Sequence, residues 1–295
     1  MRQTGMDMLA QYKETSFGGR GGERDRMLSF SETLEAEYNN PLKVADFAAI
    51  VGEWAAEAAS FRACHGQAEL GVAYGPGERQ KLDLFWPGSG RAGPMAMFIH
   101  GGYWQALDRS FASHLARGLN AHGVAVAVPS YDLCPAVTLA ELVEGVRGVA
   151  GFLARRHGPG MLAMGHSAGG HLAAMLMATD WAARGLPADT IRAGLPISGL
   201  FDLGPLLRTT VISGLGLEVA EARRLSPLFI ASPGLALHAI VGGDEGAEYA
   251  GQSSRLAAAW GGTWESLAGR NHFTVVDPLG DPGSAMVARA RELLA

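Results

Sequence analysis

Ser167 stands in the stretch MGHSAGGH, residues 164–171, where Gly165-His166-Ser167-Ala168-Gly169 fits the pattern G-x-S-x-G. The apolar run Met161 to Ala163 precedes it and the apolar, helix-periodic stretch His171 to Met177 follows. A serine on a sharp strand-to-helix turn presents its hydroxyl outward, and only small neighbours let such a turn close. The helix after it also points its first amides toward the hydroxyl. The plain alternative is a glycine-rich turn with no chemistry. What separates the two is the company the serine keeps. Its hydroxyl is a weak nucleophile and needs a histidine to take its proton, with a carboxylate holding that histidine in one tautomer. Downstream, the apolar run 235–241 ends in Gly242-Gly243-Asp244-Glu245, and the run 263–267 is followed by Gly269-Arg270-Asn271-His272-Phe273. Nucleophile Ser167, acid Asp244 and base His272 are therefore the candidate catalytic set. Asp244 has a second reading, as the N-cap of a helix beginning near Glu245. Asp202 is the competing acid, read as a cap of the segment after it. His238 within a strand and His157 at a helix end read as structural, and His171 as packing beneath the turn.

A third element is a place for negative charge. The run Met95 to Ile99 leads into His100-Gly101-Gly102-Tyr103-Trp104. Two glycines after a buried strand let the backbone pass close to a ligand with its amides exposed. The amides of Gly101, Gly102 and Ala168 would then face the oxygen of an attacked carbonyl. A tight turn is the alternative, and His100 reads as its brace. No HExxH or CxxC spacing occurs, so no metal is expected, and hydrolysis by such a set requires no cofactor. Residues 17–25, FGGRGGERD, look like a phosphate loop, but no strand precedes them and the GK[ST] ending is missing; they read as a connector.

These residues need elements to hold them. Strand-like runs at 81–86, 95–99, 124–129, 161–164, 193–197, 235–241 and 263–267 alternate with helical stretches at 111–122, 139–157, 170–179, 249–260 and 285–294. That alternation predicts an α/β fold with a mostly parallel, doubly wound sheet, helices on both faces, and a site at the carboxyl ends of the strands. Before it, Val44, Phe47, Ile50, Val51 and Trp54 recur at helical spacing after Pro41, predicting a helix laid on the main body. Residues 1–40 read as a flexible N-terminal segment and 41–295 as one domain. The interval 203–233 has no strand-like run and reads as a small helical lid over the pocket.

Composition narrows the partner. The 295 residues are 48% hydrophobic and 18% charged with net charge −5, enough for a large core. No Lys/Arg run exceeds two residues, which argues against nucleic acid and anionic membrane. A small-molecule partner is expected, with a homodimer left open. Cys64 and Cys134 are too few for a disulfide framework, and no apolar leader or span is visible, so the setting expected is cytoplasmic.

Taken together, HGGYW (100–104), SYDLCP (130–135), GHSAGGH, SPLF (226–229), GGDE and NHF resemble the α/β-hydrolase superfamily. Within it the chain is similar to the arylformamidase (kynurenine formamidase) and related HGG-type esterase branch, over about residues 40 to 295. The order serine, acid, histidine is that of the superfamily. Tyr103 stands where esterases of the hormone-sensitive-lipase type usually carry a third glycine, which favours the formamidase branch. The resemblance implies a cofactor-free serine hydrolase that cleaves N-formylkynurenine to formate and kynurenine. Tyr103, Trp104 and Phe273, with Phe201, lie beside strand ends and could wall an aromatic leaving group, core packing being the alternative. Asn271, or Arg208 in the insertion, could meet the amino-acid head. A short-chain carboxylesterase is the runner-up, and a non-catalytic ligand-binding protein on the same fold is the reading from another class.

Overall fold

A computed structural model describes residues 29–91 and 93–295; the 17–25 stretch lies outside them. Eight strands, β1 (Ala68–Ala73), β2 (Lys81–Phe85), β3 (Met95–Ile99), β4 (Ala125–Pro129), β5 (Met161–His166), β6 (Ile191–Ile197), β7 (Ala236–Gly242) and β8 (Thr263–Leu267), form one sheet. Their order is β1-β2-β4-β3-β5-β6-β7-β8. The pairings of β1 with β2 and β2 with β4 are antiparallel and the rest parallel. Every residue of β3, β4 and β5 is buried, as central strands covered on both faces must be. Alternate residues serve opposite layers: Met97, Ile99 and Ala163 belong to one core, Phe98, Leu162 and Met164 to the other.

The helices are α1 (Glu32–Tyr38), α2 (Asn40–Lys43), α3 (Phe47–Cys64), α4 (Arg117–Asn120), α5 (Leu139–His157), α6 (Ala168–Met177), α7 (Val219–Arg224), α8 (Ala247–Trp260) and α9 (Ala285–Leu294). Buried residues of α5, α6 and α8 fill the first core; those of α3, α4 and α9 fill the second.

Four expectations need correction. The N-terminal part is not featureless up to residue 40: Ser31 caps α1, accepting from Leu34 N, and Tyr38 is fully buried with its hydroxyl donating to Glu248 at 2.9 Å. The edge strand β1 was not foreseen, because its side chains are half exposed and Gly71, at φ +68°, interrupts its register. The helix expected over 111–122 is broken into two 3-10 turns and short α4. Gly118 there is pressed to where a Cβ would lie 2.4 Å from Leu279 O. The insertion 203–233 is indeed helical in short pieces, but it packs on α6, α8 and α1 rather than over the cleft described below.

Candidate active site

The strand β5 passes into α6 through Ser167, whose φ of +56° and ψ of −118° is a conformation that L-residues seldom adopt. The glycines around it are sterically required. A Cβ at Gly165 would stand 2.2 Å from Gly169 O, and one at Gly169 would stand 2.0 Å from Ile99 O. Ser167 N donates to Ile197 O at 2.8 Å, tying the turn to the end of β6.

The structure brings Ser167 and His272 together. The Ser167 hydroxyl donates to His272 Nε2 at 3.0 Å, which leaves the proton on Nδ1, and Nδ1–H donates to a carboxylate at 2.6 Å. That carboxylate belongs to Glu245 and not to Asp244, which corrects the sequence expectation. Residues 242–245 form a tight turn in which Glu245 N donates to Gly242 O. Here the fourth residue, Glu245, comes back over the strand end onto Gly242 N, while the third faces solvent. Asp244 is accordingly exposed, its backbone N–H bonded to Arg270 O. The Glu245 side chain is fully enclosed, and its second oxygen accepts from Gly242 N at 2.6 Å and from Ser198 Oγ at 2.5 Å. His272 is buried beneath the Tyr249 and His166 rings, at 4.6 and 4.8 Å between centroids.

Beside the serine runs the loop after β3. A Cβ on Gly101 would lie 3.2 Å from Ser167 Cβ, so this backbone passes directly alongside the hydroxyl. Gly102 has φ +100°, and Tyr103 and Trp104 follow at +48° and +60°, a strained run of the kind found at functional loops. His100 braces it by donating from Nδ1 to Gly101 O at 2.8 Å and stacking on Tyr131, whose hydroxyl donates to His100 O. Ala168 opens α6, and its amide is among those a helix leaves unpaired at its start.

A narrow cleft opens over Ser167 and His272. Its walls are aromatic and aliphatic: Phe47, Val51 and Trp54 of α3 line it with Tyr103 and Phe273, Phe47 packing on the Phe273 ring, and Asn40 and Pro41 at α2. Two of the four expected substrate contacts, Tyr103 and Phe273, therefore line the cleft, and two do not. Trp104 is wholly buried behind the loop, its indole N–H donating to His171 Nδ1 at 3.2 Å. Asn271 spends its carbonyl on the amides of Phe273 and Thr274, shaping the turn that carries His272. Phe201 lies in the core and Arg208 reaches Ser29 O instead. Of the other candidates set aside from sequence, Asp202 accepts from Gly204 N in the insertion and His238 bonds Thr263 and Glu265. The α3 wall was missed because helical periodicity marks a buried face without saying that part of it borders a cleft.

Burial keeps the surrounding histidines neutral. Desolvation lowers His100 and His171 each to about 4, and holds His166 well below the usual imidazole range, with His272 adding to that depression. Among the described residues no group of three or more His, Cys, Asp or Glu is placed to hold a metal. No helix among them is long and apolar enough to cross a membrane.

No family model matches the chain. Superposition on solved structures defines the class. Esterase B of Lactobacillus rhamnosis aligns with TM-score 0.63 and 19% identity over 85% of this chain and 95% of that one. A chain from a Silicibacter species, designated a candidate thioesterase, aligns with TM-score 0.81 and 36% identity over 88% of this chain and 98% of that one. The fold is that of the α/β-hydrolases. Among curated sequences, the kynurenine formamidase of Salmo salar is 32% identical over 230 residues, 73% of this chain and 78% of the relative. That of Danio rerio is 31% identical over 229 residues, with the same coverage. The chain belongs to the kynurenine formamidase family and is a hydrolase.

Proposed function

We propose that the protein is a serine hydrolase acting as an arylformamidase, with N-formylkynurenine as substrate and formate and kynurenine as products. The observation that carries this is the continuous path from Ser167 Oγ through His272 to the enclosed Glu245 carboxylate, at 3.0 and 2.6 Å. Ser167 attacks the formyl carbon while His272 Nε2 takes its proton, and Glu245 stabilises the imidazolium. The oxyanion is held by amides of Gly101, Gly102 and Ala168. His272 then protonates the departing aryl amine; water, deprotonated by the same histidine, releases formate and restores the serine. The aromatic walls suit the aryl ring, and a formyl group needs little acyl space. No cofactor takes part. We place the reaction in the cytoplasm, a setting supported by two unpaired cysteines, one of them exposed.

A short-chain carboxylesterase is the second reading, favoured by one feature: among the described residues, no Lys, Arg, Asp or Glu lines the cleft to meet an amino-acid head. The deciding experiment compares kcat/KM for N-formylkynurenine with that for p-nitrophenyl acetate, with Ser167→Ala as blank. A large ratio that vanishes in the variant, by about 10⁴-fold or more, is expected. A ratio below one, still dependent on Ser167, moves the assignment to the esterase. Activity retained in Ser167→Ala, or failure of an organophosphonate to label Ser167, overturns the mechanism.

A further inference from the structure

We infer that Ser198 is a positioning residue of the hydrolytic machinery, acting on substrate only through Glu245 and His272. The inference rests on the catalytic reading above and extends it by one residue. Ser198 follows the last residue of β6, the strand between the one that delivers Ser167 and the one that leads to Glu245. Its hydroxyl donates to the Glu245 oxygen that His272 does not use. Gly242 N occupies the same oxygen, so the carboxylate is gripped at both ends inside a site closed to water. With His272 on one oxygen and Gly242 N on the other, the carboxylate can still tilt about the line between them; the hydroxyl, reaching the second oxygen from the end of β6, opposes that tilt.

The backbone shows that the hydroxyl is held there against a cost. Ser198 is fully buried with φ +47°, a region where glycine would sit without strain. Its amide donates to Ile240 O at 2.7 Å, while the carbonyl of the residue before it receives Ser167 N at 2.8 Å. The next residue, Gly199, is wedged against α6: a Cβ on Gly170 would stand 2.9 Å from Gly199 Cα. One short turn thus meets the nucleophile's strand, its helix and the acid's strand. A glycine would satisfy this backbone better than serine does, so what serine adds is the hydroxyl on Glu245.

The test uses Ser198→Ala and Ser198→Gly in the full chain. Both remove the donor, while glycine also relieves the backbone. Turnover of p-nitrophenyl acetate is measured beside the low-field proton resonance of the His272 Nδ1–H that bonds Glu245. In both variants kcat is expected to fall about tenfold with KM unchanged, and the resonance to move or broaden. If Ser198→Gly keeps parental kcat and resonance, the hydroxyl has no positioning role and the inference fails, whatever Ser198→Ala does. A change in thermal stability alone, with kcat intact, overturns it equally. Should Ser167→Ala prove active, the catalytic reading itself fails, which is a separate result.

Discussion

One methylene and one position along the chain decide which carboxylate serves His272. Asp244 and Glu245 both follow the same strand, and a sequence pattern that asks only for an acid after that strand accepts either. The tight turn discriminates between them, since its fourth residue returns over Gly242 and its third faces solvent. Glu245→Gln keeps the shape but removes the charge that, in the proposed mechanism, stabilises the imidazolium and fixes its tautomer. It is expected to lower kcat by about 10³- to 10⁴-fold. Asp244→Asn, at an exposed side chain, should leave kcat within about twofold. Steady-state kinetics of the two variants side by side test the assignment; the reverse pattern would restore Asp244. Ser167 and His272 were legible because each is the sole candidate of its type at its strand end. The acid was not, because choosing between neighbours needs backbone angles that composition does not carry.

At the scale of elements, the central parallel strands were readable from their unbroken apolar runs, while β1 was hidden by half-exposed side chains and the Gly71 irregularity. The cleft's wall is a subtler case. Phe47, Val51 and Trp54 obey the helical period of a core-facing helix, and α3 does pack on the second core. The same side chains border the space above Ser167, with Phe47 4.8 Å from the Phe273 ring. The lack of a strand-like run pointed instead to 203–233 as the lid, because sequence gives no sign of which end of the sheet a segment crosses. If α3 is the specificity wall, Phe47→Ala should raise KM for an aryl formamide about tenfold while kcat for p-nitrophenyl acetate stays within about threefold. Loss of a largely buried phenyl also costs about 3 kcal/mol, so the thermal midpoint falls too. Equal KM in parent and variant would show that the aromatic ring binds elsewhere.

For the molecule as a whole, the buried imidazoles tie stability to pH. His171 is a fully buried residue of α6, accepting from Trp104 at Nδ1 and donating from Nε2 to Leu225 O at 2.8 Å, so it joins the strained loop after β3 to the insertion. Desolvation lowers it to about 4 in the folded protein, whereas in the unfolded chain it takes a proton near 6.5. Between those values the unfolded state binds more protons, and stability therefore rises with pH. The contribution is fully present above about 6.5 and is lost as pH falls toward 4, a difference of about 3 kcal/mol for this residue. His100, also lowered to about 4, adds a loss in the same direction. His171→Gln offers an acceptor and a donor of similar reach with nothing to titrate. Denaturant unfolding between pH 7 and pH 4.5 should show the parent losing stability more steeply than this variant, by about 2 kcal/mol. Because carboxylates titrating in the same window affect both chains alike, parallel curves would mean that His171 is not held neutral and that the junction it makes survives its protonation.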